Sequence, residues 1–226
     1  MVAWGHAAQV ANTVQSETGP TSMSKYHSPL RARQAAQTRQ LIIDAAIGLF
    51  ARQGWAATTL PMVASEAGTS VDTIYATFGS KSALFMAAID VAIVGDDEEA
   101  AMVDRPEFAV LGKGRRSERL RAGVAFTLDV YERSVPILKV LREAAASDAA
   151  ASARLARYDE DRRGVMIAGL GLILGREPPD SLVDALWTLI SPEVYSLLIE
   201  GRGWSRSEAE VWLTQMATAA IGVALH

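Results

Sequence analysis

Residues 58–81, TTLPMVASEAGTSVDTIYATFGSK, constrain the fold of this chain more than any other stretch. They read as two short helices joined by a tight turn. Thr59 supplies a hydroxyl to cap the first helix, and Pro61 is tolerated because first-turn amides have no intrahelical partner. Val63 points inward, and Ala64 is small enough for another helix to approach closely. Gly68 closes the first helix where a positive φ is wanted. Ser70 then caps a second helix, Val71–Phe78, with Ile74 and Phe78 four apart on one face. The opposite face shows Val71, Asp72, Thr73, Tyr75, Ala76 and Thr77. Gly79 breaks that helix, and Ser80 with Lys81 begins a third. This is the layout of a helix-turn-helix, whose second helix enters the DNA major groove.

The rest of the chain reads as helix around this segment. Residues 1–36 are rich in Ala, Ser, Thr and Gln without apolar periodicity, which predicts a mobile arm. Met23 offers a second start site, and Lys25, Arg31, Arg33 and Arg39 form a basic cluster ahead of the first helix. Helical spacing of Ile42, Ala46, Leu49 and Phe50 predicts a helix over 38–53, ended by Gly54 with Trp55 folding back. Leu84, Ala87, Ala88 and Val91 predict another over 80–94. An acidic then Pro- and Gly-broken transition over 95–114 marks the boundary between a 37–95 domain and a larger 110–226 domain. Beyond it the pattern predicts helices over 117–133, 136–147, 152–174 and 180–200, the last kinked at Pro192. The capping box Ser205-Arg206-Ser207-Glu208 opens a final helix to about residue 225. No alternating strand pattern occurs, so the predicted fold is all-α: a three-helix DNA-binding domain followed by a larger helical bundle.

The segment and its flanks resemble the tetracycline-repressor (TetR/AcrR) family of bacterial regulators. The residues carrying the resemblance are Ile43, Ala45, Ala46, Leu49, Phe50, Gly54, Trp55, Thr58, Thr59, Val63, Ala64, Ala67, Gly68, Ser70, Thr73, Ile74, Tyr75, Phe78, Ser80, Lys81 and Leu84. The resemblance implies a cytoplasmic homodimer that binds double-stranded, palindromic operator DNA as a repressor and is released by an unknown small-molecule effector. Ser70, Thr73, Tyr75 and Lys81 are then expected at phosphates, which fix register. Thr58 and Thr59 join them by position in the motif. Val71, Asp72, Ala76 and Thr77 would meet base edges. Short Ala76 and Thr77 depart from the longer residues common in the family and suit thymine methyls. Thr69 also replaces a branched apolar residue in the turn. The family's dimers pack the last two helices of each subunit into a four-helix bundle, which implicates Leu182, Leu186, Leu189, Leu197, Val211, Ala217, Ala220 and Ala224. Phe126, Tyr131, Tyr158, Trp187 and Tyr195 are candidate effector-pocket aromatics.

Composition narrows the alternatives. The net charge of −4 hides a segregation. Residues 1–85 hold six of the 22 basic residues and four of the 26 acids, a net of +2, leaving 16 basic against 22 acidic residues and −6 beyond. Positive charge thus gathers where phosphates would use it. The chain has no cysteine, and its three histidines, His6, His27 and His226, lie near the termini. Thiolate zinc sites, cysteine catalysis and imidazole acid-base chemistry lose their usual residues, so neither cofactor nor metal is expected. The longest apolar run, residues 164–175, is too short to span a bilayer, which takes ~20 residues. Gly169, Gly171 and Gly175 lack the spacing and preceding strand of a phosphate loop and read as a helix crossing. Asp159 and Asp161 read as a charged helix face. The second basic cluster, Lys113, Arg115, Arg116, Arg119 and Arg121, reads as a solvated face. A helical-bundle enzyme and a protein-binding helical adaptor are the two alternatives.

Overall fold

A computed structural model describes residues 29–95 and 101–224. Among the described residues ten α-helices run in the order α1 (Pro29–Ala57), α2 (Leu60–Glu66), α3 (Val71–Phe78), α4 (Lys81–Val94), α5 (Pro106–Ala109), α6 (Arg116–Ala145), α7 (Ala149–Leu174), α8 (Asp180–Leu189), α9 (Pro192–Ser196) and α10 (Arg206–Ala224). No strand occurs among the described residues. The helix α1 begins at Pro29, so the last part of the expected arm, 29–36, is helical, with residues 30–36 exposed. Lys25, Met23, His6, His27, His226 and the acidic stretch 96–99 lie outside the described residues.

Two hydrophobic cores are arranged along the chain. The first gathers Ile42, Ile43, Ala46, Leu49 and Phe50 of α1, Val63 of α2, Ile74 of α3 and Leu84, Phe85, Ala88 and Ile89 of α4. Gly54 (φ 78, ψ 178) breaks the end of α1 and turns the chain back. Trp55 then stacks on Phe50 at 5.7 Å and lies 5.0 Å from Phe85, whose ring meets Phe50 edge-on at 4.7 Å. This core is completed from the larger domain by Ile137, Leu138, Val140 and Leu141 of α6 and by Tyr158 of α7. The second core joins Phe108, Leu111, the first two-thirds of α6, the end of α7, α8 and α10.

Proline placement departs from the expected elements in two ways. Residues 117–133 and 136–147 form one helix, α6, with Pro136 inside it. A proline removes one amide and crowds the preceding turn. Here Val135, Ile137 and Leu138 are buried on either side, and Ser134 donates its hydroxyl to the Val130 carbonyl, so packing holds the helix through the proline. At Pro192 the opposite holds. Ser191 is extended (φ −111, ψ 156), as the residue before a proline prefers, and its hydroxyl accepts from Val194 N at 3.2 Å. The expected kinked helix is therefore ended at Leu189 and restarted as α9, which runs into a π turn over Leu197–Gly201.

Among the described residues, Asp180–Gly201 is the one segment long and apolar enough by composition to cross a membrane, but it is broken at this point and turns Leu182, Val183 and Leu186 into the second core. That burial also corrects the expected dimer face: Leu182, Leu186 and Ala217 are enclosed by their own chain and present nothing to a partner. Leu189 and Ala220 are half-buried against the same core. Leu197, Val211 and Ala224 are exposed. Leu186→Ala should accordingly cost about 2–5 kcal/mol in chemical denaturation. Leu41→Ala, at a site 49% exposed on α1, should stay within about 0.5 kcal/mol. Equal effects would place Leu186 at a surface.

Candidate nucleic-acid interface and the cavity behind it

The reading motif is built by local hydrogen bonds. Thr59 caps α2, accepting from Met62 N at 3.4 Å, with Pro61 in the first turn. Gly68 (φ 65) makes the turn, and Thr69 N returns to Ala64 O at 2.9 Å. Ser70 caps α3, accepting from Thr73 N at 3.1 Å, and its hydroxyl shares a 2.8 Å hydrogen bond with that of Thr73. Gly79 (φ 76) ends α3, Ser80 caps α4 through Ala83 N, and the two helices meet at 72°. Ile74 anchors α3 in the core, while Arg39 of α1 lays its guanidinium over the Phe78 ring at 4.7 Å.

The outer face of α3 presents Asp72, Tyr75, Ala76 and Thr77 to solvent, with Val71 and Thr73 half-exposed at its start. Thr77 donates its hydroxyl to Thr73 O at 2.7 Å. Two expected phosphate contacts are placed differently. Thr58 is fully buried; its hydroxyl donates to Gly54 O at 2.8 Å and accepts from Gln53 Nε2 at 3.3 Å, so it builds the bend after α1 instead of facing solvent. Lys81 is tethered: its ammonium donates to Trp55 O at 2.5 Å and sits 4.2 Å from the Trp55 ring centre. Partial burial lowers its pKa from the ordinary lysine value. An ammonium carries three donors, so two remain for an anion. The second basic cluster lies at the start of α6, where Arg115 pairs with Glu118 and Arg119 donates to Leu172 O, far along α6 from the reading head.

Behind the head lies a cavity of about 670 Å³ between α4, α6 and α7, closed by residues 101–111 and by α8. Its volume falls in the range of small-molecule sites. Of the five aromatic candidates, Phe126, Tyr131 and Tyr158 line it. Tyr195 instead packs against the Tyr131 ring at 5.9 Å, and the Trp187 ring lies under the Arg162 guanidinium at 3.9 Å, both behind the wall. Tyr131 donates to Ile190 O at 2.8 Å, and burial pushes its phenol up to about 12. Burial pushes Tyr158 up further. Gly169 sits against Phe108 and Leu111, as expected of a helix crossing; a Cβ there would lie 3.6 Å from each side chain.

Five charged lining residues were not singled out by sequence for this role: Arg39 on α1, Asp90 on α4 and Arg154, Asp161 and Arg162 on α7. The α7 positions recur with Tyr158, Val165 and Gly169 at helical spacing, so charges interrupt what is otherwise an apolar stripe. That interruption was the available signal. Among the described residues no group of His, Cys, Asp or Glu could hold a metal ion.

Residues 42–88 match the family model of bacterial regulatory proteins, tetR family. Over 112 residues, half of this chain, the sequence is 28% identical to the HTH-type transcriptional repressor NicS of Pseudomonas putida, and the match spans only half of that relative's length. The backbone is similar to the crystal structure of a tetR-family transcriptional regulator from Streptomyces coelicolor, with a TM-score of 0.63, 23% identity, and coverage of 83% of this chain and 82% of that one. A TetR-like transcriptional regulator from Rhodococcus sp. RHA1 aligns at 0.53 with 20% identity, covering 82% of this chain and 96% of that one. At these identities the structural likeness is one of fold, and the motif itself carries the rest. Residues 42–88 thus carry the helix-turn-helix of the tetR family of bacterial regulatory proteins, on an all-α fold similar to those solved regulators.

Proposed function

We propose that the protein is a homodimeric, cytoplasmic repressor that binds a two-fold symmetric operator and is released by a small molecule in the cavity. The observation that carries this reading is the anchored α3, buried through Ile74 and open along Asp72, Tyr75, Ala76 and Thr77. Thr59, Ser70, Thr73, Tyr75 and Lys81 contact phosphates, and Val71, Asp72, Ala76 and Thr77 face base edges. Short side chains at the last two positions favour methyl contacts over bidentate pairing. Dimerisation uses the open part of the C-terminal face: Leu197 (60% exposed), Val211 (58%) and Ala224, rimmed by the half-buried Leu189 and Ala220.

Release follows from geometry along α4. Its first residue, Lys81, sits at the reading head, and its last turns, through Asp90, Val91, Ile93 and Val94, line the cavity. A ligand favouring a different tilt of α4 weakens operator binding, and the operator weakens the ligand by the same factor; ~1–3 kcal/mol gives a 5- to 150-fold change.

Selection of bound fragments from the source genome tests the reading. It should yield a two-fold sequence with half-sites about 34–36 Å apart or a multiple of a helical turn; recovery of unrelated fragments at equal affinity would refute it. On the selected operator, Lys81→Met should lower the salt slope by about one per protomer. Thr58→Val should leave the slope alone while lowering stability by about 1–3 kcal/mol, since it strands Gly54 O. Val211→Arg should yield monomers by light scattering, because it sets a charge in an apolar seam; a persistent dimer would move the interface elsewhere.

A further inference from the structure

The polar end of the cavity is unevenly satisfied. Arg154 pairs with Asp90 at 2.5 Å, bridging α7 to α4, yet its second terminal nitrogen, Nη1, is buried without a hydrogen-bond partner among the described residues. Arg162 donates to Trp187 O at 2.8 Å and Ile190 O at 3.3 Å, where it caps the end of α8, and its Nε is buried without a partner among the described residues. No carboxylate of a described residue comes within ion-pairing distance of Arg162. The remaining acid, Asp161, faces Arg157 Nε at 3.7 Å with its buried Oδ2 otherwise unpartnered. Two guanidinium groups, each with one enclosed N–H donor unused by the described residues, therefore stand at one end of a cavity that is otherwise walled by Val124, Phe126, Val130, Val165, Leu170 and Ile173.

We propose that the cavity takes an apolar molecule bearing a single carboxylate, whose head lies against Arg154 and Arg162 and whose body fills the space toward Phe126 and Ile173. The inference rests on the cavity being the effector site and adds the chemical class of its occupant. A carboxylate fits because it accepts from several donors at once and supplies the negative charge that Arg162 lacks; a charge-assisted bond is the strong kind in a poorly solvated site. A cation would meet Arg39, Arg154 and Arg162 across the same space and have Asp90 already engaged. Asp161 does not veto an anion. Its carboxylate faces Arg157, which offsets its charge, and burial shifts its pKa upward. The incoming head also competes with Asp90 for Arg154, which loosens the tie between α7 and the last turns of α4.

Calorimetric titration of the full chain with dodecanoate, dodecanol and dodecyltrimethylammonium varies the head on one tail. Dodecanoate should bind tightest, by about tenfold to a hundredfold over the alcohol, as expected for one or two charge-assisted bonds. Arg162→Met should erase that preference while leaving the alcohol's affinity within about twofold, which separates head recognition from a collapsed cavity. Asp90→Asn, which frees Arg154, should tighten dodecanoate alone. Equal binding of the three would overturn the carboxylate assignment and leave the cavity as an effector site of purely apolar taste. Tightest binding of the ammonium would assign the site to Asp161 and overturn the inference. Binding of none would remove the cavity reading together with it.

Discussion

The helix α6 is the element on which the other parts depend. Thirty residues run without interruption from Arg116 to Ala145, and they serve two cores in succession. Leu120, Val124, Leu128 and Tyr131 belong to the second core; Ile137, Leu138, Val140 and Leu141 complete the first. Pro136 stands at the changeover, where the cost of a lost backbone bond, on the order of 3 kcal/mol, must be met by burial on both sides. Val135 before it and Ile137, Leu138 and Leu141 after it, none more than 1% exposed, supply it. One continuous helix thus walls both the cavity and the base of the reading head, with α1 and α4 packed against it.

How much of this was legible in the sequence follows the range of the physics involved. The caps Thr59, Ser70 and Ser80 and the turn glycines Gly68 and Gly79 act over three to five residues, and each sits as the spacing predicts. The box at Ser205 and Glu208 is equally local, with Ser205 N donating to Glu208 Oε2 at 2.7 Å. Partners fixed by tertiary packing were not legible. An apolar stripe says that a face is covered without saying by what, so Leu182, Leu186 and Ala217 read as an interface although their own chain covers them. Thr58 reads as a surface hydroxyl beside Thr59, and only the bend at Gly54 turns it inward. The two prolines make the same point in opposite directions: each weakens a helix, and the burial around it decides whether the helix survives.

The polar end of the cavity shows how the fold holds charges near an apolar space. Arg154 is shielded by Asp90, Arg162 by the carbonyl end of α8, and Asp161 by Arg157. None of these arrangements uses all the hydrogen-bonding capacity of the group. A core built only for stability would use apolar residues here, since isolated buried ion pairs stabilise poorly against hydrophobic replacements.

The shared first core also bears on how such regulators can be recombined. A reading head severed after α4 would leave uncovered the surfaces of α1 and α4 that meet Ile137, Leu138 and Leu141. Exchanging heads between relatives at the apparent linker therefore grafts two half-interfaces that were never fitted to each other. A working chimaera has to carry the second half of α6 and the early part of α7, through Tyr158, along with the head.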